Sequence, residues 1–182
     1  MTDAGEAAAA AVFLDRDGTI MRDVDYCGNP ADVAVFEGVG DALLRLKRGG
    51  FKVIVITNQS GIGRGYFGEK EYRVVEREVE RQLGNGAVDA TYFCADLPDS
   101  ASARRKPEPG MIWEAQREHN LDLRRSFFIG DKATDIDCGK NAGLRTILVE
   151  TGYGKNAMDC APDHVVRDVI EAAEIILTEC NG

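Results

Sequence analysis

Short apolar segments that alternate with amphipathic helical patterns constrain the fold of this chain more than any other feature. The segments are rich in Val, Ile, Leu and Phe, as is typical of parallel strands that are buried on both faces. They are residues 12–14, 51–56, 91–94, 127–129 and 146–149, with a short edge strand at 165–166. Strands that alternate with helices predict right-handed βαβ crossovers. We therefore expect the α/β class, with a Rossmann-like three-layer sandwich and a mainly parallel sheet.

Length and charge limit the number of domains and the class of partner. At 182 residues the chain fits one folding unit. We expect a flexible lead-in at residues 1–11 and a single domain at residues 12–182. The net charge of -9 argues against non-specific binding of nucleic acid, because such binding relies on a basic surface. A small phosphorylated molecule is a compatible ligand where positive charge is concentrated locally.

Targeting and cysteine patterns predict a cytoplasmic protein without a membrane partner. No apolar run approaches the ~20 residues that span a bilayer, and residues 1–11 lack the basic segment of a secretory signal. The five cysteines are widely spaced and form no Cys-x-x-Cys pair, which favours reduced thiols over a disulfide framework. We expect Cys94 and Cys138 to be small buried hydrophobic residues.

Two carboxylates follow the first apolar segment. Asp15 and Asp17 come directly after residues 12–14, and Gly18 lets the chain turn away. Ligands of an open α/β sheet bind beyond the carboxyl ends of the strands, and side chains two positions apart on a strand share a face. Such a close acidic pair favours a cation, and Mg²⁺ binds carboxylate oxygens while sharing its shell with phosphate. The alternative interpretation is an acidic turn after a strand.

Three later segments also place polar residues after a strand. Residues 57–60 read Thr-Asn-Gln-Ser and offer hydroxyl, amide and backbone donors to an anion. Lys106 lies in a loop that neighbouring prolines stiffen. Asp131 can add a third carboxylate, and Asp135 can bind the metal or orient Asp131 or Lys106. Arg64 lies in a glycine-rich run that does not match the dinucleotide fingerprint.

Taken together, these segments resemble the four motifs of the haloacid dehalogenase (HAD) superfamily of phosphatases. The motifs match in order at residues 15–19 (Asp-Arg-Asp-Gly-Thr), Thr57, Lys106, and Asp131 with Asp135. Residues 13–20, 57–62, 105–111, 130–132 and 151–154 are further similar to the HAD group that contains D-glycero-D-manno-heptose 1,7-bisphosphate phosphatases and histidinol-phosphatases. The resemblance covers most of the chain.

The resemblance implies a Mg²⁺-dependent phosphomonoester hydrolase. Asp15 would form an aspartyl-phosphate, and Asp17 would act as general acid and base. The implied metal ligands are the Asp15 and Asp131 carboxylates and the main-chain carbonyl of Asp17, while Thr57 and Lys106 complete the catalytic set. The implied substrate contacts are Asp23, Tyr26, Asn58, Gln59, Ser60, Arg105 and Lys132. The heptose bisphosphate, cleaved at its C7 phosphate, fits the motifs best, and histidinol phosphate is the alternative.

The chain departs from many members of this group at the zinc loop. Those members carry Cys-x-His and later Cys-x-Cys. Here Asp96 stands two positions after Cys94, where the His would be, and the second pair is absent from the sequence. A closed zinc site needs four ligands, so we expect no zinc. The intervals from Asp15 to Thr57 and from Cys94 to Lys106 are too short for a cap domain. A capless site that is covered only by loops is therefore expected.

Other functions stay open from the sequence. A receiver-type signalling domain also uses clustered Asp, Thr and Lys on a parallel sheet, but its acceptor Asp follows a later strand than its acidic pair. A phosphatase of polynucleotide ends or of proteins is compatible with an open site. The four complete motifs argue against a scaffold without catalysis. We expect a monomer or a weak oligomer.

Overall fold

The computed structural model describes residues 7–180 and contains a six-stranded sheet with helices on both faces. The strands are β1 Ala11–Leu14, β2 Lys52–Asn58, β3 Ala90–Cys94, β4 Phe127–Gly130, β5 Arg145–Val149 and β6 His164–Val166. The α-helices are α1 Val39–Arg48, α2 Ser60–Gly63, α3 Glu69–Leu83, α4 Gly110–His119, α5 Ala133–Asn141 and α6 Val169–Cys180. The strand order is β3-β2-β1-β4-β5-β6, and every pairing is parallel. The expected α/β class and parallel sheet are confirmed.

Strand β1 lies between β2 and β4 and is fully buried. Val12 pairs with Val53 on one side and with Phe127 on the other. Since all strands run in the same direction, their carboxyl ends meet at one edge of the sheet. Asp15, the residue after β1, therefore stands at the centre of that edge.

The two faces of the sheet carry separate apolar cores, which gives the expected three layers. Val12 and Leu14 point into a core that α1, α3 and α6 cover. Ala11 and Phe13 point to the opposite core, which contains Met111 and Ile112 of α4 and Cys138 of α5. Alternation along a strand accounts for this division. Cys94 and Cys138 are buried, as expected.

Most strand ends differ from the sequence prediction by one residue, and two larger differences affect the site. Strand β2 continues through Thr57 and Asn58, which pair with Phe93 and Cys94 of β3, so Thr57 is held by the sheet instead of a loop. A short helix, α2, replaces the predicted loop at the start of the glycine-rich run. Thr57 and Asn58 are consequently held by backbone pairing with β3, and Ser60 begins α2.

The expected flexible lead-in falls partly outside the described residues, which begin at residue 7. Ala9 pairs with Leu121, and Ala11 already belongs to β1. The ordered chain thus begins before residue 12, because backbone pairing with neighbouring segments fixes these alanines. The single-domain assignment of residues 12–182 stays a prediction. None of the helices in the described part of the chain is long and apolar enough to cross a membrane.

Candidate active site

Lys106 is a buried cation between two carboxylates at the carboxyl edge of the sheet. Its Nζ donates a hydrogen bond to Asp15 Oδ1 at 2.7 Å and to the Ile56 carbonyl oxygen at 2.8 Å, and it lies 2.7 Å from Asp135 Oδ1. Burial alone would lower the pKa of Lys106, but the charges of Asp135 and Asp15 outweigh it and raise the pKa. Lys106 is therefore an ammonium ion beside Asp15.

Asn58 holds the main chain of Lys106 in place. Its Nδ2 donates to the Lys106 carbonyl oxygen at 3.1 Å, and its Oδ1 accepts from the Lys106 N–H at 3.1 Å. Asn58 closes β2, so this double contact ties the loop after β3 to the sheet. The contact explains how a loop residue reaches the buried centre, and it gives Asn58 a structural task in addition to its predicted contact with substrate.

Asp131 is fixed at the end of β4 by groups from two loops. Its Oδ2 accepts from the Tyr153 backbone N–H at 2.9 Å, and its Oδ1 accepts from the Thr19 hydroxyl at 3.4 Å. Burial raises the pKa of Asp131 to about 7, and the negative charges of Asp15 and Asp135 act in the same direction. In the protein without a metal, Asp131 is thus held in a site that disfavours its charge.

The three buried carboxylates of Asp15, Asp131 and Asp135 have the geometry of a metal centre. One oxygen atom from each lies within 4.8 Å of the others. Lys106 contacts two of these acids, Asp15 and Asp135, whereas burial and acidic neighbours raise the pKa of Asp131, so a cation at this position would favour the ionised carboxylates. Carboxylate oxygens at this spacing suit a hard divalent cation such as Mg²⁺. Asp135 is already engaged at both oxygens, by Lys106 and by the Lys132 N–H at 3.0 Å, which favours an orienting role for it.

Asp17 points away from this cluster. Its Oδ2 accepts from Gln59 Nε2 at 2.8 Å, and both of its oxygens accept from the Arg16 guanidinium at 3.0–3.1 Å. Gln59 Nε2 also contacts the Thr57 hydroxyl at 2.9 Å. In the described part of the chain, the Asp17 side chain is not a member of the metal-type group. The main-chain carbonyl of Asp17 as a metal ligand stays a prediction.

A cleft of about 510 Å³ opens beside this centre. The predicted catalytic residues Asp17 and Lys106 reach its wall. All seven predicted substrate contacts line it: Asp23, Tyr26, Asn58, Gln59, Ser60, Arg105 and Lys132. The fold therefore brings together five separate segments around one opening: loops, the end of β2 and the first turns of α2 and α5.

Two predicted contacts that line the cleft, Lys132 and Asp23, form an ion pair. Lys132 Nζ lies 3.1 Å from Asp23 Oδ2 and 5.0 Å from the centre of the Tyr153 ring. Burial alone would lower the pKa of Lys132, but the surrounding carboxylates raise it, beginning with Asp15. A negatively charged ligand that enters the cleft therefore meets the positively charged Lys132, whose ion-pair partner is the carboxylate of Asp23.

Tyr26 borders the cleft in a left-handed backbone conformation, with φ of 59°. This conformation is unusual for a residue other than glycine. Tyr66 packs edge-on against the Tyr26 ring at 5.0 Å, and the Arg64 guanidinium lies 5.7 Å above that ring. The glycine-rich run, whose role the sequence did not indicate, thus supplies contacts that support Tyr26.

The loop before Lys106 is held by hydrogen bonds around Cys94. The Cys94 Sγ lies 3.3 Å from Asp96 Oδ2 and 3.7 Å from Ser102 Oγ. Arg105 Nη1 donates to the Asp96 carbonyl oxygen at 2.7 Å. These contacts connect both ends of the loop, and the expected absence of zinc stays a prediction.

Sequence reasoning missed three residues that contact the site. Arg16 binds Asp17, and Thr19 and Tyr153 bind Asp131. Arg16 and Thr19 belong to the first motif, residues 15–19, but the sequence indicated no role for either of them. Tyr153 acts through its backbone N–H, and a backbone contact leaves no signal in residue type.

Comparisons with known proteins agree with this arrangement. A family model described as HAD-hydrolase-like matches residues 103–172. The chain is 37% identical to the D-glycero-D-manno-heptose-1,7-bisphosphate 7-phosphatase of Thermosynechococcus vestitus, over 92% of this chain and 95% of that protein. It is 36% identical to the D-glycero-beta-D-manno-heptose-1,7-bisphosphate 7-phosphatase of Yersinia pestis, over 91% of this chain and 94% of that protein.

A solved structure matches the whole fold. The D,D-heptose 1,7-bisphosphate phosphatase from B. bronchiseptica, whose crystal structure was determined with magnesium and phosphate, superposes with a TM-score of 0.86. The two sequences are 32% identical, and the match covers 93% of this chain and 99% of that one. The resemblance therefore extends from motifs to tertiary structure.

Proposed function

This chain belongs to the haloacid dehalogenase-like (HAD) phosphatases, and from that premise we propose that it removes the C7 phosphate of D-glycero-D-manno-heptose 1,7-bisphosphate. The observation that carries the proposal is the buried Asp15–Lys106 pair at the foot of the cleft, which supplies a fixed carboxylate beside a fixed cation. The choice of sugar is supported by the names of relatives that are 36–37% identical over more than nine-tenths of the chain. Histidinol phosphate is the alternative substrate.

We propose Mg²⁺ as the cofactor. The carboxylates of Asp15 and Asp131 and the main-chain carbonyl of Asp17 would hold it, and Asp135 would orient Lys106. The close spacing of the three buried carboxylates fits a divalent cation. When bound, Mg²⁺ neutralises charge on the oxygens of the transferred phosphoryl group.

Asp15 acts as the nucleophile in this proposal. One Asp15 oxygen forms a bond to phosphorus while the ester bond to the sugar oxygen breaks, which gives an aspartyl-phosphate. Lys106 keeps the Asp15 carboxylate in place and, with the Thr57 hydroxyl, contacts the phosphoryl oxygens. Because this reaction depends mainly on positioning and charge, a nucleophile fixed at 2.7 Å from a buried ammonium suits it.

Asp17 moves the protons in this proposal. It protonates the leaving sugar oxygen, and as a carboxylate it then takes a proton from the water that displaces Asp15 from phosphorus. Gln59 and Arg16 hold the Asp17 carboxylate at the wall of the cleft. The remaining part of the substrate lies against Asp23, Tyr26, Ser60, Arg105 and Lys132.

Loops and the ends of β2, α2 and α5 line the cleft, and no separate cap domain stands among the described elements, so the cleft accepts a substrate that carries a second charged end. We propose a small phosphorylated substrate, without a nucleic-acid or membrane partner, and a monomer or weak oligomer in the cytoplasm. A net charge of -9 is compatible with an anionic substrate because Arg105, Lys106 and Lys132 line one opening, together with Asp17, Asp23 and Asp25.

A substrate panel tests the proposal. Phosphate release with Mg²⁺ is measured for the heptose bisphosphate, histidinol phosphate and a set of hexose phosphates, and the values of kcat/KM are compared. We expect the heptose bisphosphate to have the highest value, with repeated turnover. A single phosphorylation of the protein without turnover would instead indicate a receiver-type domain, and a preference for histidinol phosphate would replace the proposed substrate.

A further inference from the structure

Arg16 is a buried cation that contacts the proposed acid of the site. Its side chain is 3% exposed, and it lies between the end of β1 and helix α3. Its Nε donates to Asp17 Oδ2 at 3.1 Å, and its Nη2 donates to Asp17 Oδ1 at 3.0 Å. The guanidinium carbon lies 5.6 Å from the centre of the Tyr72 ring. Arg16 thus binds both oxygens of Asp17 from the protein side of the cleft.

Stability alone gives a poor reason for an arginine at this position. Within the described residues, Arg16 Nη1 and the Tyr72 hydroxyl are buried atoms that have no hydrogen-bond partner. An unsatisfied buried donor costs about 1–3 kcal/mol, and apolar replacements of buried ion pairs are often neutral or stabilising. The contact that offsets this cost is the two-point contact with Asp17.

We infer that Arg16 is a positioning residue for the proton transfers of Asp17. The inference rests on the proposed phosphatase function. During the first transfer, the Asp15–phosphorus bond forms, the bond between phosphorus and the sugar oxygen breaks, and the Asp17 proton passes to that oxygen. Asp17 is left as a carboxylate, and in the second half-reaction it takes one proton from the attacking water, so the protons balance over the cycle.

The observed contacts match the carboxylate state of Asp17. Two Arg16 donors and one Gln59 donor point at its oxygens. As the proton leaves, negative charge develops on Asp17, and charge-assisted hydrogen bonds of this kind strengthen. The two-point contact also fixes the plane of the carboxyl group, because the guanidinium is rigid and planar. Arg16 therefore orients the acid and stabilises the product of its first proton transfer.

The leaving group separates this role from a purely structural one. An alkoxide leaves slowly without a proton, whereas p-nitrophenolate is stable as an anion and hardly needs an acid. For each substrate, kcat/KM reports the step in which the leaving group departs, because that step comes before the aspartyl-phosphate is hydrolysed. Loss of Arg16 should therefore reduce kcat/KM more for a sugar phosphate than for p-nitrophenyl phosphate.

The test compares wild type, Arg16→Met and Arg16→Lys on two substrates, the heptose bisphosphate and p-nitrophenyl phosphate. If wild type prefers histidinol phosphate, that compound replaces the heptose bisphosphate. We expect Arg16→Met to lower the ratio of the two kcat/KM values by about tenfold or more, a part of the 10²–10⁴ that general acids contribute. Arg16→Lys keeps one charged donor and should recover part of the ratio. Arg16→Gln, which keeps a neutral donor, should also lower the ratio and serves if Arg16→Met does not fold.

Arg124→Met is the matched control, because Arg124 is exposed at the opposite end of the sheet, before β4, and its ratio should equal that of wild type. Equal losses on both substrates in Arg16→Met and Arg16→Gln would overturn the inference. Asp17→Asn separates the two levels of the argument. If Asp17→Asn lowers kcat/KM more for the sugar phosphate than for p-nitrophenyl phosphate and Arg16→Met does not, only the role of Arg16 fails. If Asp17→Asn lowers kcat/KM equally for both substrates, the acid assignment in the proposed function fails.

Discussion

Lys106 Nζ donates a 2.7 Å hydrogen bond to Asp15 Oδ1, although the two residues are 91 positions apart in the sequence. Asp15 follows the central strand β1, and Lys106 lies in the loop after the distant strand β3. Both side chains are almost fully buried. The pair therefore exists only in the folded sheet, and its charges depend on each other.

Replacement of Lys106 should destabilise the protein and abolish its activity. Lys106→Met leaves Asp15 and Asp135 buried without their cation, and breaking a buried pair in this way costs about 3–5 kcal/mol. Urea unfolding measures the loss. Lys155→Met, at an exposed lysine of a nearby loop, is the control and should unfold as wild type does. Equal stability of the two variants would show that Lys106 does not neutralise the cluster.

Replacement of the proposed nucleophile should remove turnover. Asp15→Asn keeps the shape of the side chain but cannot form the aspartyl-phosphate, so we expect kcat to fall by roughly 10³-fold or more, the scale on which loss of a covalent nucleophile acts. Phosphate release from the best substrate of the panel measures it. Asp137→Asn, at an exposed carboxylate of α5, should retain activity. Near wild-type turnover in Asp15→Asn would reject Asp15 as nucleophile.

The stability of the metal-free protein should fall as pH rises toward 7. Burial raises the pKa of Asp131 to about 7, whereas an unfolded Asp titrates near about 4. Between these values the folded protein holds a proton that the unfolded chain has released, so the free energy of unfolding falls with pH, by at most about 1.4 kcal/mol per pH unit for this group. The contribution is fully present below the unfolded value and is lost above about 7.

Urea unfolding at several pH values, with EDTA or with saturating Mg²⁺, checks this dependence. Mg²⁺ favours the ionised Asp131, so the decline should be much shallower with the metal present. The Asp131→Asn variant lacks the titrating group and should show a smaller decline in EDTA. Identical slopes in EDTA and Mg²⁺ would contradict the placement of a divalent cation at Asp131.

A methyl group at Gly152 should disturb Asp131 directly. Gly152 has φ of 55°, and a Cβ there would lie 2.1 Å from Asp131 Oδ2. Gly143 also has a positive φ, of 77°, but a Cβ there would meet no atom within 4 Å. Both Ala variants carry a backbone cost of about 1–2 kcal/mol, so the comparison isolates the steric contact. We expect Gly152→Ala to weaken Mg²⁺ binding, measured by calorimetry, and Gly143→Ala to bind as wild type does.

Much of the fold was predictable because its signals are local. Apolar runs such as residues 127–129 identify strands by composition, and the spacing of Val39, Ala42, Leu43 and Leu46 matches the observed helix α1. The early end predicted for β2 was wrong, because Thr57 and Asn58 are polar and their pairing with β3 depends on a distant segment.

The candidate site was predictable in its residue types and not in its contacts. The motifs selected Asp15, Lys106 and Asp131, and the parallel sheet with these residues at strand ends implied that they meet. The sequence did not indicate which donor binds which oxygen. Asn58 holds the Lys106 main chain, and Tyr153 binds Asp131 through its backbone N–H. Backbone donors and loop packing leave no trace in residue identity.

The sequence by itself determined the α/β class, the family and the set of side chains available for phosphoryl transfer, because periodicity and motif spacing are properties of neighbouring residues. Only the tertiary structure decided that Lys106 is shared between Asp15 and Asp135, that one oxygen from each of three carboxylates lies within 4.8 Å of the others, and that Arg16 is buried near Tyr72 of α3. Burial and charge compensation arise between segments that are distant in the chain, and these interactions set the ionisation and orientation of the groups at the site.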